Sequence, residues 1–206
     1  MKITLDNIQK YWILSYVFNV WQMLWTNAYT MVYAYNRFTV DDKAILVLME
    51  AVISLVAIMF ISRKSIRRWA NSHPVILATI GALLDGVTEY LLLVDPLYKY
   101  MFDLISLCIF FNLWKVQNQE RMNTLFSDPV RRTNMDISIN MATFVGGIIA
   151  GVMAIVFKPN IKVVVWMAIF LNSASYYISM FRFILADKYA KEHGLVYPCM
   201  REETHW

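Results

Sequence analysis

The chain has 206 residues, of which 59% are hydrophobic, a mean hydropathy of +0.46 and a net charge of +4. Soluble domains are about 45–50% apolar, so this composition excludes an ordinary soluble fold and indicates a protein whose first partner is the lipid bilayer. In such a protein the excess of Lys and Arg reflects how basic residues divide between the two sides of the membrane, and it does not indicate binding to nucleic acid.

Six apolar segments are long enough to cross the hydrocarbon core, which takes about 20 helical residues. In chain order they are predicted at Tyr11–Tyr35, Ala44–Ile61, Val75–Val94, Leu97–Val116, Ile137–Phe157 and Val163–Ala186. The expected fold class is all-α, a polytopic transmembrane bundle of six helices over residues 1–186, followed by a cytoplasmic tail over residues 187–206. The longest connection, Gln117–Asp136, is too short to fold independently. Pro96 is expected to begin the fourth span, because proline is tolerated in a first helical turn.

Basic residues concentrate in the connections after the second and fourth spans and in the tail. The residues singled out there are Arg63, Arg67, Arg68, Arg121, Arg131 and Arg132. The positive-inside rule therefore predicts both termini in the cytoplasm, in a plasma membrane of the bacterial inner type. Two interpretations of these connections stay open. They lie against anionic headgroups, or they form a latch that joins helix ends through pairs with Asp128 or Asp136.

Four acidic residues fall inside the predicted spans, in the outer half of the membrane: Glu50, Asp85, Glu89 and Asp103. Asp85 and Glu89 are one turn apart on one face of the third span. No Lys or Arg is expected at this depth, so each carboxylate must be protonated, face water or meet a cation. The pattern indicates a proton relay or a cation site. The alternatives are that Glu89 and Asp103 lie at the wet interface, or that the carboxyl groups only bond neighbouring helices.

The first span carries an aromatic stripe with polar residues beside it. The stripe consists of Trp21, Trp25, Tyr29 and Tyr33, and the polar residues are Gln22, Thr26 and Asn27. An aromatic face near carboxylates could hold an amphipathic cation, although the same spacing is typical of packing residues. Asn172, midway along the last span, is expected to add a hydrogen-bonding group to the same cavity. Arg182 is expected to snorkel towards the membrane surface at the inner end of that span.

Small residues mark the fifth span, where Gly147 and Gly151 are four apart beside Gly146 and Ala150. Such faces let helix backbones approach closely in lipid, either within the chain or in a dimer. The two cysteines and three histidines have no metal-ligand spacing, so neither a cofactor nor a metal is expected. No span contains a His–Asp pair or a G-x-S-x-G elbow, and an enzyme is therefore not expected.

The layout of six spans with both ends inside resembles the N-terminal half of a major facilitator superfamily transporter. In that family the connection after the second span commonly reads G-x-x-x-D-R-x-G-R-R, and the nearest match here is Ser62-Arg63-Lys64-Ser65-Ile66-Arg67-Arg68. The basic residues survive, whereas the acidic residue and both glycines are absent and the spacing differs by one. The basic connection with Glu120, Arg121 and Arg131 and the glycine-rich fifth span are also similar. The resemblance implies helices packed around a midplane cavity, and that family needs two six-helix halves to form a path.

Two functions are consistent with these patterns. The first is proton-coupled movement of a small cationic or amphipathic solute by a half-size transporter that dimerises, with Glu50, Asp85 and Glu89 as carriers of charge. The second is a membrane interaction module without a transport cycle, an immunity, exclusion or regulatory subunit that binds another membrane protein or a toxin. In the second case the carboxyl groups only make bonds between helices.

Overall fold

The computed structural model describes residues 3–33, 38–104, 108–157 and 160–200, and all regular structure within these ranges is helical. The eight α-helices are α1 (Leu5–Tyr33), α2 (Val40–Ile61), α3 (Lys64–Ser72), α4 (Pro74–Leu91), α5 (Pro96–Phe102), α6 (Cys108–Leu125), α7 (Pro129–Phe157) and α8 (Ile161–Glu192). A 3₁₀ turn follows at Pro198–Met200. The expectation of an all-α fold is confirmed for the described ranges.

Four of these helices are long and apolar enough to cross a membrane, as an integral membrane protein requires. They are α2, α4, α8 and the part of α7 over Pro129–Val156. Their residues are mostly unburied within the chain: only 11% of the most apolar stretch is buried in α2 and in α7. Large apolar side chains such as Leu48, Ile58 and Phe144 therefore point away from the protein, which is the arrangement that lipid favours.

The predicted first span corresponds to α1, which has 29 residues but does not belong to these four helices. Polar residues such as Asn19 and Gln22 lower its hydropathy. They are accommodated because α1 lies against other helices: it packs most extensively against α8 and then against α7. Asp6 pairs with Arg131 near the start of α7, Ser15 bonds Ser175 in the middle of α8, and Trp25 bonds Val164 near the start of α8. The contacts at Ser15 and Trp25 show that α1 and α8 run antiparallel.

The predicted fourth span contains α5 and α6, and residues 105–107 between them lie outside the described residues. The short α5 ends at Phe102, Asp103 and Leu104 have π-helical geometry, and α6 begins at Cys108. The start of α5 agrees with the prediction, since Pro96 occupies its first turn and the Asp95 side chain accepts a 2.8 Å hydrogen bond from the Leu97 N–H.

Most of the predicted connection Gln117–Asp136 is helical. The helix α6 continues to Leu125, and α7 begins at Pro129, so that only residues 126–128 connect them. The Asp128 carboxylate accepts a 3.0 Å bond from the Val130 N–H and caps α7. The connection between α2 and α4 likewise contains the helix α3. The bundle end where α1 begins and α8 finishes is called the basic end below.

Helix α8 extends six residues beyond the predicted span and stops at a glycine. Its C-terminal side is closed by Gly194, whose φ of 66° is in the left-handed region that favours glycine. The Leu195 N–H donates back to the carbonyl of Ala190 over 2.8 Å. The chain then returns along the basic end, where Tyr197 is buried against the core cluster that contains Trp12 and Phe183.

Gly146 of α7 packs against another helix of the same chain. Gly146 faces the ring of Trp21 on α1, and a Cβ atom at this position would overlap that ring. Ala150, one turn further, is 5% exposed. Nothing lies within 4 Å of the corresponding position at Gly151. The intramolecular alternative is therefore confirmed for Gly146 and Ala150, whereas a dimer contact through Gly147 and Gly151 stays a prediction.

Candidate functional site

A column of buried polar side chains runs down one face of α8. Its members are Asn172, Ser175, Ser179 and Arg182, each no more than 5% exposed. They are spaced three or four residues apart, so they share the helix face that meets α1, α4 and α6. In a helix that can cross a membrane, such groups are retained only where other protein groups or bound molecules satisfy them.

At its Asn172 end, the column meets Asp85 of α4. The Asn172 amide donates to Asp85 Oδ2 over 2.6 Å, and Tyr176 lies beside the same carboxylate. Gly81 makes the approach possible, because a Cβ atom there would lie 2.5 Å from Tyr176 Cε1. The structure therefore brings together the predicted site residues Asp85 and Asn172, and it adds Tyr176 to them.

Towards the end of the bundle opposite the basic end, Glu89 belongs to a separate cluster that contains a buried cation. Gln22 of α1 donates to Glu89 Oε1 over 2.8 Å. The Nζ atom of Lys99 is 3.8 Å from the same oxygen and 2.9 Å from Asp103 Oδ2. Glu89 is 4% exposed and Lys99 is 6% exposed. The expectation that no cation lies near these carboxylates is wrong, because the turn of α5 folds Lys99 back towards α4.

Arg182 is the most unusual member of the column. It is 1% exposed, so the expectation that it snorkels to the surface is wrong. Its guanidinium carbon lies 4.1 Å from the Trp12 ring centre and 4.8 Å from that of Phe183. Nη2 donates to Oδ1 of the Asn118 side chain. Nε and Nη1 are buried without a hydrogen-bond partner, and no described carboxylate forms an ion pair with this residue.

A cavity of about 220 Å³ lies beside Arg182, between α1, α6 and α8. Polar groups of Ser15, Asn19, Asn118, Ser175, Ser179 and Arg182 line it, together with Tyr16, Val20, Trp114, Lys115 and Tyr176. Lys115 is exposed and stands at the rim, whereas the side of α8 is fully buried. Tyr176 joins this cavity to the Asp85 site, since it borders the cavity and lies beside the Asp85 carboxylate.

At the basic end, a second buried arginine has a full set of partners. Arg121 of α6 is 0% exposed. Its Nε and Nη2 donate to the two carboxylate oxygens of Asp187 over 3.0 and 2.9 Å, and it also bonds the side chain and carbonyl of Asn71 on α3. Tyr197 donates to Asp187 over 2.8 Å. Burial, and after it the charge of Asp187, raises the pKa of the Tyr197 hydroxyl.

One interpretation of the basic connections was a latch that joins helix ends through ion pairs. This cluster resembles such a latch, but its acidic partners are different. Glu120 accepts a 3.0 Å bond from Asn71, and its other oxygen is 3.7 Å from Arg67. Arg131 pairs with Asp6 at 2.9 Å. The suggested partners are not used in these pairs: Asp128 caps α7, and Asp136 is an exposed residue of α7.

The remaining predicted residues are dispersed. Arg63 is an exposed residue that precedes α3, Arg68 lies within α3, and Arg132 of α7 donates to Asn123 over 3.0 Å. Glu50 is exposed on α2 and does not meet Asp85 or Glu89. Some of the predicted site residues therefore lie on the surface, while others lie in the interior.

The two tryptophans of the aromatic stripe bond neighbouring helices. Trp21 Nε1 donates to the Ala142 carbonyl on α7 over 3.0 Å, and Trp25 Nε1 donates to the Val164 carbonyl on α8 over 3.2 Å. These contacts favour packing as the role of the stripe. The side chains of Asn27, Tyr29 and Tyr33 lie outside the described residues.

Sequence reasoning missed Arg182, Lys99, Tyr176 and Asp187 as interior residues. A signal existed for the first of them, because Asn172, Ser175, Ser179 and Arg182 repeat at helical spacing on an otherwise apolar helix. No such signal exists for Lys99, whose burial depends on the packing of α5 against α4. Neither family models, curated proteins nor solved structures give a match to this chain.

Proposed function

We propose that this protein is an integral membrane protein that takes a small solute into its helix bundle and moves it across the bilayer. The observation that carries this proposal is the cavity of about 220 Å³ that adjoins the polar column of α8. Interior polar groups are expensive in a membrane bundle, and they usually mark a substrate or ion pathway. A purely structural bundle would not need both an internal space and unsatisfied donors beside it.

The arrangement we propose has six crossings with both termini in the cytoplasm. The long α1 and the α5–α6 unit serve as the two crossings that add to the four apolar helices. The antiparallel course of α1 along α8 supports this proposal, because both helices must then traverse the same thickness. The basic end carries Arg63, Arg67, Arg121 and Arg131, which favours the cytoplasm for that end. We also propose that the chain resembles one half of a facilitator-type transporter and that two copies form a homodimer.

Proton coupling is assigned to Asp85. Its Oδ1 atom is buried without a partner, while Oδ2 is held by Asn172. A carboxyl group in this position can take up a proton without losing the bond from Asn172. Tyr176 then connects the protonation state of Asp85 to the shape of the cavity. Glu89 is less suited to this role, because Lys99 already provides its counter-charge.

Transport is tested in proteoliposomes with an imposed pH gradient and two fluorescent or radiolabelled probes, ethidium as an amphipathic cation and p-aminohippurate as an organic monocarboxylate. We expect one probe to accumulate with the wild-type protein and to fall to the level of empty liposomes with Asp85→Asn. Asp128→Asn is the matched control, because it removes an exposed carboxylate and retains a helix cap. Uptake by wild type no faster than in empty liposomes, for both probes, contradicts the proposal.

A second function is favoured by Glu50. This carboxylate is exposed on α2 among Val47, Leu48 and Val52, which are all more than half exposed. A charged group on a lipid-facing surface is costly, and contact with another membrane protein would relieve that cost. In this alternative the chain is an interaction module. It predicts a partner that co-purifies with wild type from the native membrane and is lost with Glu50→Leu, while transport is absent.

A further inference from the structure

We propose that the cavity beside Arg182 binds a small organic monocarboxylate, with the guanidinium of Arg182 as the recognition group. This inference rests on the proposed function only in that a solute enters the bundle, and it specifies the chemical class of that solute. It differs from the cationic solute that the sequence favours. Binding is a property of this cavity by itself and does not require a completed transport cycle.

The charge of the cavity is the first argument. Arg182 is 1% exposed, and the other described charged group that borders the cavity is Lys115, also a cation. A guanidinium remains ionised even in apolar surroundings, and a buried charge without a counter-ion is strongly unfavourable. The described residues provide no carboxylate for Arg182. A bound anion would supply the missing charge.

The unsatisfied donors are the second argument. Nε and Nη1 of Arg182 are buried without a partner, and Nη2 is held by Asn118. Each buried donor without an acceptor costs stability, and a charged donor costs more than a neutral one. The rings of Trp12 and Phe183 lie near the guanidinium and restrict its position, but aromatic faces do not replace acceptors for its N–H groups. Carboxylate oxygens accept bonds from arginine with favourable geometry.

The same chain contains an internal comparison. Arg121 is as deeply buried as Arg182 and also lies against the Phe183 ring, with its guanidinium carbon 4.5 Å from the ring centre. For Arg121 the fold provides the carboxylate of Asp187 over two bonds. For Arg182 the fold provides a cavity where that carboxylate would be. We therefore assign to the ligand the role that Asp187 has at Arg121.

The size and lining of the cavity define the rest of the ligand. A space of about 220 Å³ admits a small molecule. The hydroxyl of Ser179 lies on the Arg182 side, while Tyr16, Val20 and Trp114 present apolar and aromatic surface. A single interior cation matches one negative charge, and the aromatic surface matches a compact apolar body. These properties specify an organic monocarboxylate over a multiply charged phosphate compound.

The test uses the full-length protein in detergent micelles, with benzoate as the probe and its neutral isostere benzamide as the comparison. Binding is followed by isothermal titration and by tryptophan fluorescence, since Trp114 borders the cavity. We expect benzoate to bind wild type and Arg182→Met to bind it at least roughly tenfold more weakly. The variant is expected to fold, because removing a buried unpaired charge is often neutral or stabilising. Arg63→Met, which removes an exposed cation, is the control and keeps the wild-type affinity.

The comparison with benzamide makes the test independent of how any variant folds. Benzoate must bind wild type at least roughly tenfold more tightly than benzamide, because only benzoate supplies a negative charge. Equal affinities would mean an apolar cavity without charge recognition and would overturn the inference. Equal benzoate affinity in wild type and folded Arg182→Met would also overturn it. Wild type that binds benzoate but transports no probe supports the carboxylate site and contradicts the transport function.

Discussion

Arg121 and Asp187 form a two-bond pair that joins α6 to α8 at the basic end of the bundle. The bonds from Nε and Nη2 to the carboxylate oxygens measure 3.0 and 2.9 Å. Asn71 adds α3 to the same guanidinium, and Tyr197 attaches the segment after α8 through its bond to Asp187. One buried charge therefore organises the α3, α6 and α8 elements and the chain that follows them.

Asp187→Asn is predicted to destabilise the protein substantially. The substitution leaves the guanidinium of Arg121 buried without a counter-charge, and breaking a buried pair costs roughly 3–5 kcal/mol. We expect a loss of about 3 kcal/mol, at the lower end, since the Asp187 side chain is 34% exposed. The free energy of unfolding in mixed micelles measures the effect. Asp128→Asn is the control and is predicted to change it by less than about 0.5 kcal/mol; equal losses in the two variants would contradict the prediction.

Gly81→Ala is predicted to destabilise α4–α8 packing and to move Tyr176 away from Asp85. The new Cβ atom would lie 2.5 Å from the Tyr176 ring, and overpacking of this kind costs about 1–3 kcal/mol. Gly86→Ala in the same helix is the matched control, because nothing lies within 4 Å of that position. It is predicted to be neutral or stabilising by up to about 1 kcal/mol, as alanine favours helix. Thermal unfolding that ranks the two variants in the reverse order would refute the contact.

Lys99→Met and Glu89→Gln are predicted to be strongly coupled. Lys99→Met leaves Glu89 buried without its cation, and Glu89→Gln leaves Lys99 with Asp103 as its counter-charge, whereas the double variant removes both charges of the pair. A double-mutant cycle on unfolding free energy should therefore give a coupling of about 1–3 kcal/mol. Lys162→Met, at an exposed residue near the start of α8, serves as the control with Glu89→Gln. Its effect should add within about 0.5 kcal/mol; a similar coupling in both cycles would argue against the buried pair.

Tyr197 is predicted to make the basic end sensitive to alkaline pH. The folded protein raises the pKa of this hydroxyl above its value of about 10 in the unfolded chain. A raised pKa means that the contribution to stability is complete below about pH 10 and is lost as pH rises further. Wild type should therefore lose more stability between about pH 9 and 11 than Tyr197→Phe, which has no proton to release. Thermal unfolding measured across this pH range tests the prediction. Tyr177→Phe, at a 52% exposed residue, is the control and should lose stability as wild type does.

Hydropathy predicts which residues face lipid better than it predicts where helices begin and end. The fifth span was expected from Ile137, yet α7 begins at Pro129, because its first two turns carry Arg131 and Arg132 outside the apolar stretch. In contrast, the start of α5 at Pro96 was predictable, since proline restricts the local backbone whatever its surroundings.

The interior site was only partly predictable, for a related reason. Asp85 and Asn172 were recognised because charged or amide groups stand out within apolar segments. The partners of Arg182 were not recognised, because Trp12 belongs to a helix about 170 residues earlier in the sequence. Position near a helix end indicates snorkelling, and only the packing of α1 against α8 covers the guanidinium. Charges whose environment comes from distant helices cannot be assigned from their own segment.

The central place of α1 has a consequence for how the chain enters the membrane during synthesis. Its main contacts are with α7 and α8, and α8 begins at Ile161, well over one hundred residues after α1 ends at Tyr33. At ribosomal rates of roughly 5–20 residues per second, that interval lasts on the order of ten seconds. Throughout it, the indole N–H of Trp25 lacks its later acceptor, Val164, whereas the acceptors of Gln22 and Trp21 arrive earlier, with α4 and α7. The insertion machinery must shelter this helix from lipid until the late helices arrive.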